Sequence, residues 1–127
     1  MAITHSRPTK KVSGGKYQKY RKKRKYEKGN SPTHTKVGDR RSSKIRVRSK
    51  NFKFRILSDN LVNVYDPKTK KYSKLKIKTI VETPANRHFV RRNIMTKGTI
   101  IETEKGKAKV TNRPGQENII NAILVGK

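Results

Sequence analysis

The amino-acid sequence predicts an all-β fold: a small closed barrel or sandwich of six or seven short strands, preceded by an extended basic arm. Three observations predict it. From residue 44 onward apolar and basic residues alternate with period two. Turn signals separate the alternating pieces at near-regular spacing, and no stretch carries a convincing amphipathic helical period. Before residue 38 there is no sustained apolar period at all, and Pro8, Gly14, Gly15, Gly29, Pro32 and Gly38 punctuate the chain. The arm is assigned to residues 1–40 and the barrel to residues 41–127.

The first strands are Ile45 and Val47 between Lys44, Arg46 and Arg48, then Phe52, Phe54 and Ile56 flanking Lys53 and Arg55. Joined near Ser49, Lys50 and Asn51, they should give one apolar face and one basic face, with Arg46, Arg48, Lys53 and Arg55 outward together. Residues 60–65 (NLVNVY) read as a third strand, and Asp66-Pro67-Lys68-Thr69 as a turn with Pro at its second position. Residues 72–82 alternate again, with Leu75, Ile77 and either Ile80 or Val81 inward and Lys74, Lys76 and Lys78 outward. Pro84 rules out a central strand over residues 83–93, which read as a loop or a single helical turn. Strand-like pieces return at residues 99–103, 107–111 and 119–125, with Arg113-Pro114-Gly115-Gln116 suited to a type II turn. The last piece is apolar on both faces and belongs in a central position. Within the arm, residues 17–28 are mostly tolerable helix formers and allow a short helix, although like charges at i,i+4 oppose it in isolation.

The chain of 127 residues carries 35 Lys and Arg against 8 Asp and Glu, for a net charge of +27. This is the electrostatic footprint of a nucleic-acid binder. Residues 1–56 hold twenty of the cations and two of the acids, so the field is concentrated in the first half. Hydrophobic residues are only 30% and tryptophan is absent, which excludes a large core and confines the core to the second half. The arm should order on its partner. With no cysteine there is no disulfide framework, thiolate metal site or cysteine nucleophile. No apolar run approaches a membrane span and the start of the chain has no apolar signal core, so the expectation is a soluble intracellular protein without a membrane partner.

Five consecutive cations, Arg21, Lys22, Lys23, Arg24 and Lys25, stand between Tyr20 and Tyr26. Each would cost several kcal/mol to dehydrate unpaired, so the run must face water or a polyanion. Tyr17, Tyr20 and Tyr26 offer π-faces to unpaired bases, and Gly14 and Gly15 allow close approach to a phosphate. Together these favour a phosphate-tracking arm with stacking platforms over an inert solvated tail.

Catalytic chemistry finds no support. Glu102 and Glu104 share a strand face, but Lys105, Lys107 and Lys109 make them surface pairs rather than an acid/base couple. His5, His34 and His88 lack metal-ligand spacing. The sequence Ser13-Gly14-Gly15-Lys16 lacks the spacing of a nucleotide-phosphate loop, and Arg91 and Arg92 beside His88 have no metal-binding acids. No enzyme, cofactor, metal or small-molecule substrate is expected.

The motifs SGGK at Ser13, KKRKYEKG at Lys22, THTKVGDRR at Thr33, IRVR at Ile45, NVYDP at Asn63, NRHFVRRNIMTKG at Asn86 and NRPGQ at Asn112 occur in an order and spacing that resemble the archaeal and eukaryotic small-subunit ribosomal protein S-eight-e family, in its short archaeal form. The resemblance implies a structural constituent of the cytoplasmic small subunit. It also implies a translation-factor-like barrel whose partners are small-subunit rRNA and neighbouring ribosomal proteins. It places the rRNA-binding extension at Lys10, Lys11, Lys16, Arg21, Lys22, Lys23, Arg24 and Lys25, beside Tyr17 and Tyr20. Further contacts fall at Arg40, Arg41, Arg46 and Arg48, and at Arg91 and Arg92. Ser49 and Lys50 stand where the family has two glycines, which implies a roomier hairpin loop. The rival reading is a non-ribosomal, chromatin-like DNA-binding protein; it needs a groove-binding helix or an apolar wedge, and neither is evident.

Overall fold

Alternation becomes strand wherever the backbone finds a partner strand to pair with. In the computed structural model, which describes residues 7–125, the strands are β1 (Lys36–Val37), β2 (Arg41–Arg46), β3 (Phe52–Asp59), β4 (Leu61–Asp66), β5 (Lys71–Glu82), β6 (Ile100–Thr103), β7 (Gly106–Val110) and β8 (Asn121–Leu124). Two single-turn helices, α1 (His88–Arg91) and α2 (Pro114–Glu117), interrupt them. Among the described residues, 7–32 form one compact unit and 33–125 a second.

The all-β barrel is present, but five strands rather than six or seven close it, in the order β4-β5-β6-β7-β8. Closure comes from β8, antiparallel to β7 and parallel to β4 through Asn63↔Asn121, Val64↔Ala122 and Tyr65↔Ile123. The last strand is therefore paired on both sides, as every strand of a closed barrel is, but its second apolar face is left uncovered. Ile120 and Ala122 are buried, while Ile119 and Ile123 are partly exposed.

Val62 and Val64 from β4, Leu75, Ile77 and Ile80 from β5, Ile101 from β6, Ala108 and Val110 from β7, with Met95, fill the interior. Burying each of the larger side chains contributes roughly 1.5–3 kcal/mol. Ile77 and Ile80 both point inward although three residues apart. Register shifts between Ile77 and Thr79 and between Ile80 and Glu82 make this geometry, and they leave Val81 on the surface. Lys74, Lys76 and Lys78 face solvent.

The remaining strands form a separate three-stranded sheet, ordered β1-β3-β2 with β1 parallel to β3. They leave the barrel because the chain turns at Asp59, whose carboxylate accepts the Leu61 backbone N–H at 3.0 Å. Such a carboxylate-to-backbone bond two residues on is a local turn device.

The Arg113-Pro114-Gly115-Gln116 segment is not a type II turn. Pro114 opens α2 as its first residue, where its missing N–H costs nothing. Gly115 serves proximity rather than turn geometry, since a Cβ there would stand 3.0 Å from Thr33 Cβ. Asn118 ends the turn in the left-handed region, with φ 59°.

Candidate nucleic-acid interface

Residues 7–32 carry eleven cations and one acid, Glu27, and no residue among them is buried. Their order comes from short-range bonds. Lys10 bridges Lys16 in antiparallel fashion. Lys11 N–H donates to the Gly15 carbonyl at 2.7 Å, and Tyr17 N–H to that of Thr9 at 2.9 Å. The small loop between them turns through Gly14, whose φ of 84° suits glycine. The Arg7 guanidinium lies 4.0 Å from the Tyr17 ring centroid, with the Lys11 ammonium at 5.6 Å. In place of a helix over residues 17–28 there is one 3-10 turn, Lys25–Glu27.

Glu27 organises the five-cation run. Its carboxylate accepts the Arg24 backbone N–H and pairs with the Arg21 guanidinium. The Arg24 N–H first, and then Arg21, hold the Glu27 carboxyl below the usual range. Arg21 also donates to the Tyr20 hydroxyl at 2.7 Å, which with Glu27 strengthens its hold on its proton. Arg21 is thus engaged within the arm. Lys22, Lys23, Arg24 and Lys25 are exposed, as are Lys10, Lys11, Lys16 and Tyr17. Tyr20 is 90% exposed.

In the second unit, Arg41, Arg46 and Arg48 are exposed along β2 and the loop that follows it. Arg40 is more committed: its guanidinium reaches the buried Asp59 carboxylate at 3.4 Å and the Asn118 carbonyl at 3.5 Å. Arg91 and Arg92 are exposed at the end of α1. The segment after them is fastened to the three-stranded sheet, because Ile94 bridges Lys36 and the Met95 N–H donates to the Thr35 carbonyl at 2.8 Å. His34 packs edge-on against Phe89 at 5.5 Å. The backbone therefore links the Arg91–Arg92 loop, β1, β3 and β2 in series.

The β2–β3 faces differ from the expected sorting. Val47 N–H donates to the Asn51 carbonyl, so the loop holds three residues, Arg48, Ser49 and Lys50. The register is then Arg46↔Phe52, Ile45↔Lys53, Lys44↔Phe54 and Ser43↔Arg55. A two-residue loop would have put all the apolar side chains opposite one another. One residue more slips the pairing and mixes both faces. Phe52 and Phe54 consequently share a face with Lys44 and Arg46, while Lys53 and Arg55 lie with Ile45. The loop is also tight rather than roomy: Ser49 and Lys50 take φ of 59° and 58°, the conformation glycine would adopt without strain. Counting loop residues from the hydrogen bond that closes the hairpin is the only signal that could have found this face.

Among the described residues no group of three His, Asp or Glu could hold a metal ion, and no helix is long and apolar enough to cross a membrane. What the surface offers is cations, tyrosines and phenylalanines on ordered backbone. Residues 4–125 match the family model described as Ribosomal protein S8e. The chain belongs to that family. Proteins named small ribosomal subunit protein eS8 are 49% identical in Sulfolobus acidocaldarius, over 98% of both chains, and in Picrophilus torridus, over 98% of this chain and all of the relative. The Nanoarchaeum equitans protein of that name is 49% identical over 94% of each chain. S8e proteins are structural components rather than enzymes.

Proposed function

We propose that this S8e chain is a structural constituent of the small ribosomal subunit that binds and stabilises folded small-subunit rRNA through its basic arm and the basic face of its sheet. Its place is the ribosome in the cytoplasm, among neighbouring small-subunit proteins. The observation that carries the reading is the arm over residues 7–32: eleven cations against one acid, none buried, on a backbone ordered by local bonds. Phosphates brought close where rRNA helices pack repel one another. Lys22, Lys23, Arg24, Lys25, Lys10, Lys11 and Lys16 neutralise them and release counterions. Arg41, Arg46, Arg48, Arg91 and Arg92 add bidentate contacts that lysine cannot make, and Tyr17 and Tyr20 stack on unpaired bases. Because A-form RNA hides its major groove, recognition rests on shape and 2′-hydroxyls. Both α helices have four residues, too short to read a DNA major groove.

The test is a competition between a small-subunit rRNA fragment and duplex DNA of equal charge, at about 50 and 200 mM salt, where pure phosphate binding falls about a thousandfold or more. Preference for the rRNA at the higher salt supports the reading. Equal binding that collapses for both together overturns it in favour of a general polycation.

A further inference from the structure

On the β2–β3 face described above, Phe52 is 50% exposed and Phe54 47%. They stand two residues apart on one strand, about 7 Å along it, and Lys44 and Arg46 lie directly across from them. The Lys44 ammonium sits 3.8 Å from the Phe52 ring centroid, so that ring presents its flat side rather than its edge. Scattered apolar side chains on a surface need no explanation. Two of the three phenylalanines of the chain, side by side among cations, are a different matter. From Arg40 to Arg55 there are eight cations and no acid, so an acidic or neutral protein surface is not the only complement; a chain of phosphates with free bases matches both the charge and the aromatic faces.

We propose that Phe52 and Phe54 form a stacking platform for unpaired bases of an RNA single strand whose phosphates are held by Lys44 and Arg46. The inference rests on the rRNA-binding reading and adds a base-contacting surface to it. An exposed cation–π contact is weaker than base stacking. An arriving base therefore displaces the Lys44 ammonium from the ring, and its flexible four-carbon stem lets it meet the adjoining phosphate. The spacing of the two rings suits consecutive splayed nucleotides rather than a closed duplex, whose bases are already stacked on one another. The register is what creates the platform. In the pairing a two-residue loop would impose, the rings would face Ile45 and Val47 instead.

The chain contains no tryptophan, so the full-length F52W variant carries a single reporter. Titrated with a twelve-nucleotide oligouridylate, its emission is expected to be quenched; inorganic polyphosphate of matched charge is expected to bind without quenching. The F52L/F54L variant keeps apolar area but removes the π-faces. It is expected to bind oligouridylate at least tenfold more weakly, with an unchanged slope of log affinity against log salt and an unchanged melting curve. Absence of quenching by oligouridylate, or full affinity in F52L/F54L, overturns the proposal and makes the face an apolar contact for a protein neighbour. If that occurs while rRNA is still preferred over DNA, the stacking platform fails alone; if the preference is also absent, the ribosomal reading fails with it.

Discussion

Residues 7–32 and residues 61–125 meet the same solvent in opposite ways. The barrel encloses a continuous apolar interior, in which Val64, Ile101 and Ala108 have no exposed surface at all, and every strand is paired on both sides. The arm encloses nothing. Its shape depends on a seven-residue loop closed by backbone bonds, on the Arg7–Tyr17 contact and on Glu27 holding Arg21. Exposed contacts of this kind contribute little to stability. The barrel is thus stable through burial and tolerant in its surface charge, whereas the arm is rich in charge and held by little else. A segment whose free-state order is weak can be reshaped by its partner, while a barrel presents a fixed face.

The sharpest way to break this contrast is to put charge where burial acts. Val110→Asp places an unpaired carboxylate in the barrel interior, where Val110 is 1% exposed. A loss of about 4 kcal/mol or more is expected, enough to abolish cooperative melting followed by circular dichroism. Retained two-state melting would show that the interior is assigned wrongly.

The reverse experiment removes charge where no burial acts. Replacing Arg21, Lys22, Lys23, Arg24 and Lys25 by Ser should leave the melting temperature of the barrel unchanged. RNA affinity should fall, and the slope of log affinity against log salt should flatten by about four. An unaltered slope would remove the arm from the interface.

The β2–β3 hairpin stands between the two regimes, basic on its surface yet held by strand pairing. Ser49 and Lys50 occupy the left-handed region at a cost of about 1 kcal/mol each, partly offset by the greater freedom glycine has when unfolded. The double variant S49G/K50G should therefore raise stability by about 1 kcal/mol in chemical denaturation. An unchanged midpoint would mean that the strain is relieved elsewhere.

The smallest expected effect is the titration of Glu27. Its carboxyl is held below the ordinary glutamate value, chiefly by the Arg24 N–H and then by Arg21. The ionised form therefore supports the turn in full above the ordinary value, and that support is lost as the pH falls through the depressed one. Acidification should change the Arg21 side-chain NMR resonance with the midpoint of Glu27. The barrel methyl resonances should follow neither that midpoint nor the Glu27→Gln substitution.

Much of the exposed positive charge was legible from local pattern. A run such as Arg21 to Lys25 cannot be buried unpaired, so its exposure follows from charge alone, and Lys74, Lys76 and Lys78 follow from alternation against Leu75 and Ile77. Arg21 and Arg40 show where that logic stops. Each is a cation whose partner, Glu27 or Asp59, is known only once the chain has folded. The strand pieces at residues 45–56 were also readable as strands, but not as members of a sheet outside the barrel. The segment 113–116 carried Pro-Gly, which fits a type II turn and a helix start equally well; the close approach of Thr33 to Gly115 belongs to the folded chain.

By itself the sequence determined the distribution of charge, the all-β character and the family motifs. These are properties of residue type and short-range period, and they survive any rearrangement of the strands. Tertiary structure decided which five strands close, that β8 lies parallel to β4, and that Phe52 and Phe54 stand with Lys44 and Arg46. Pairing between distant strands and a one-residue slip at a hairpin leave the alternation of each strand intact, so only the hydrogen bonds between strands can choose among them.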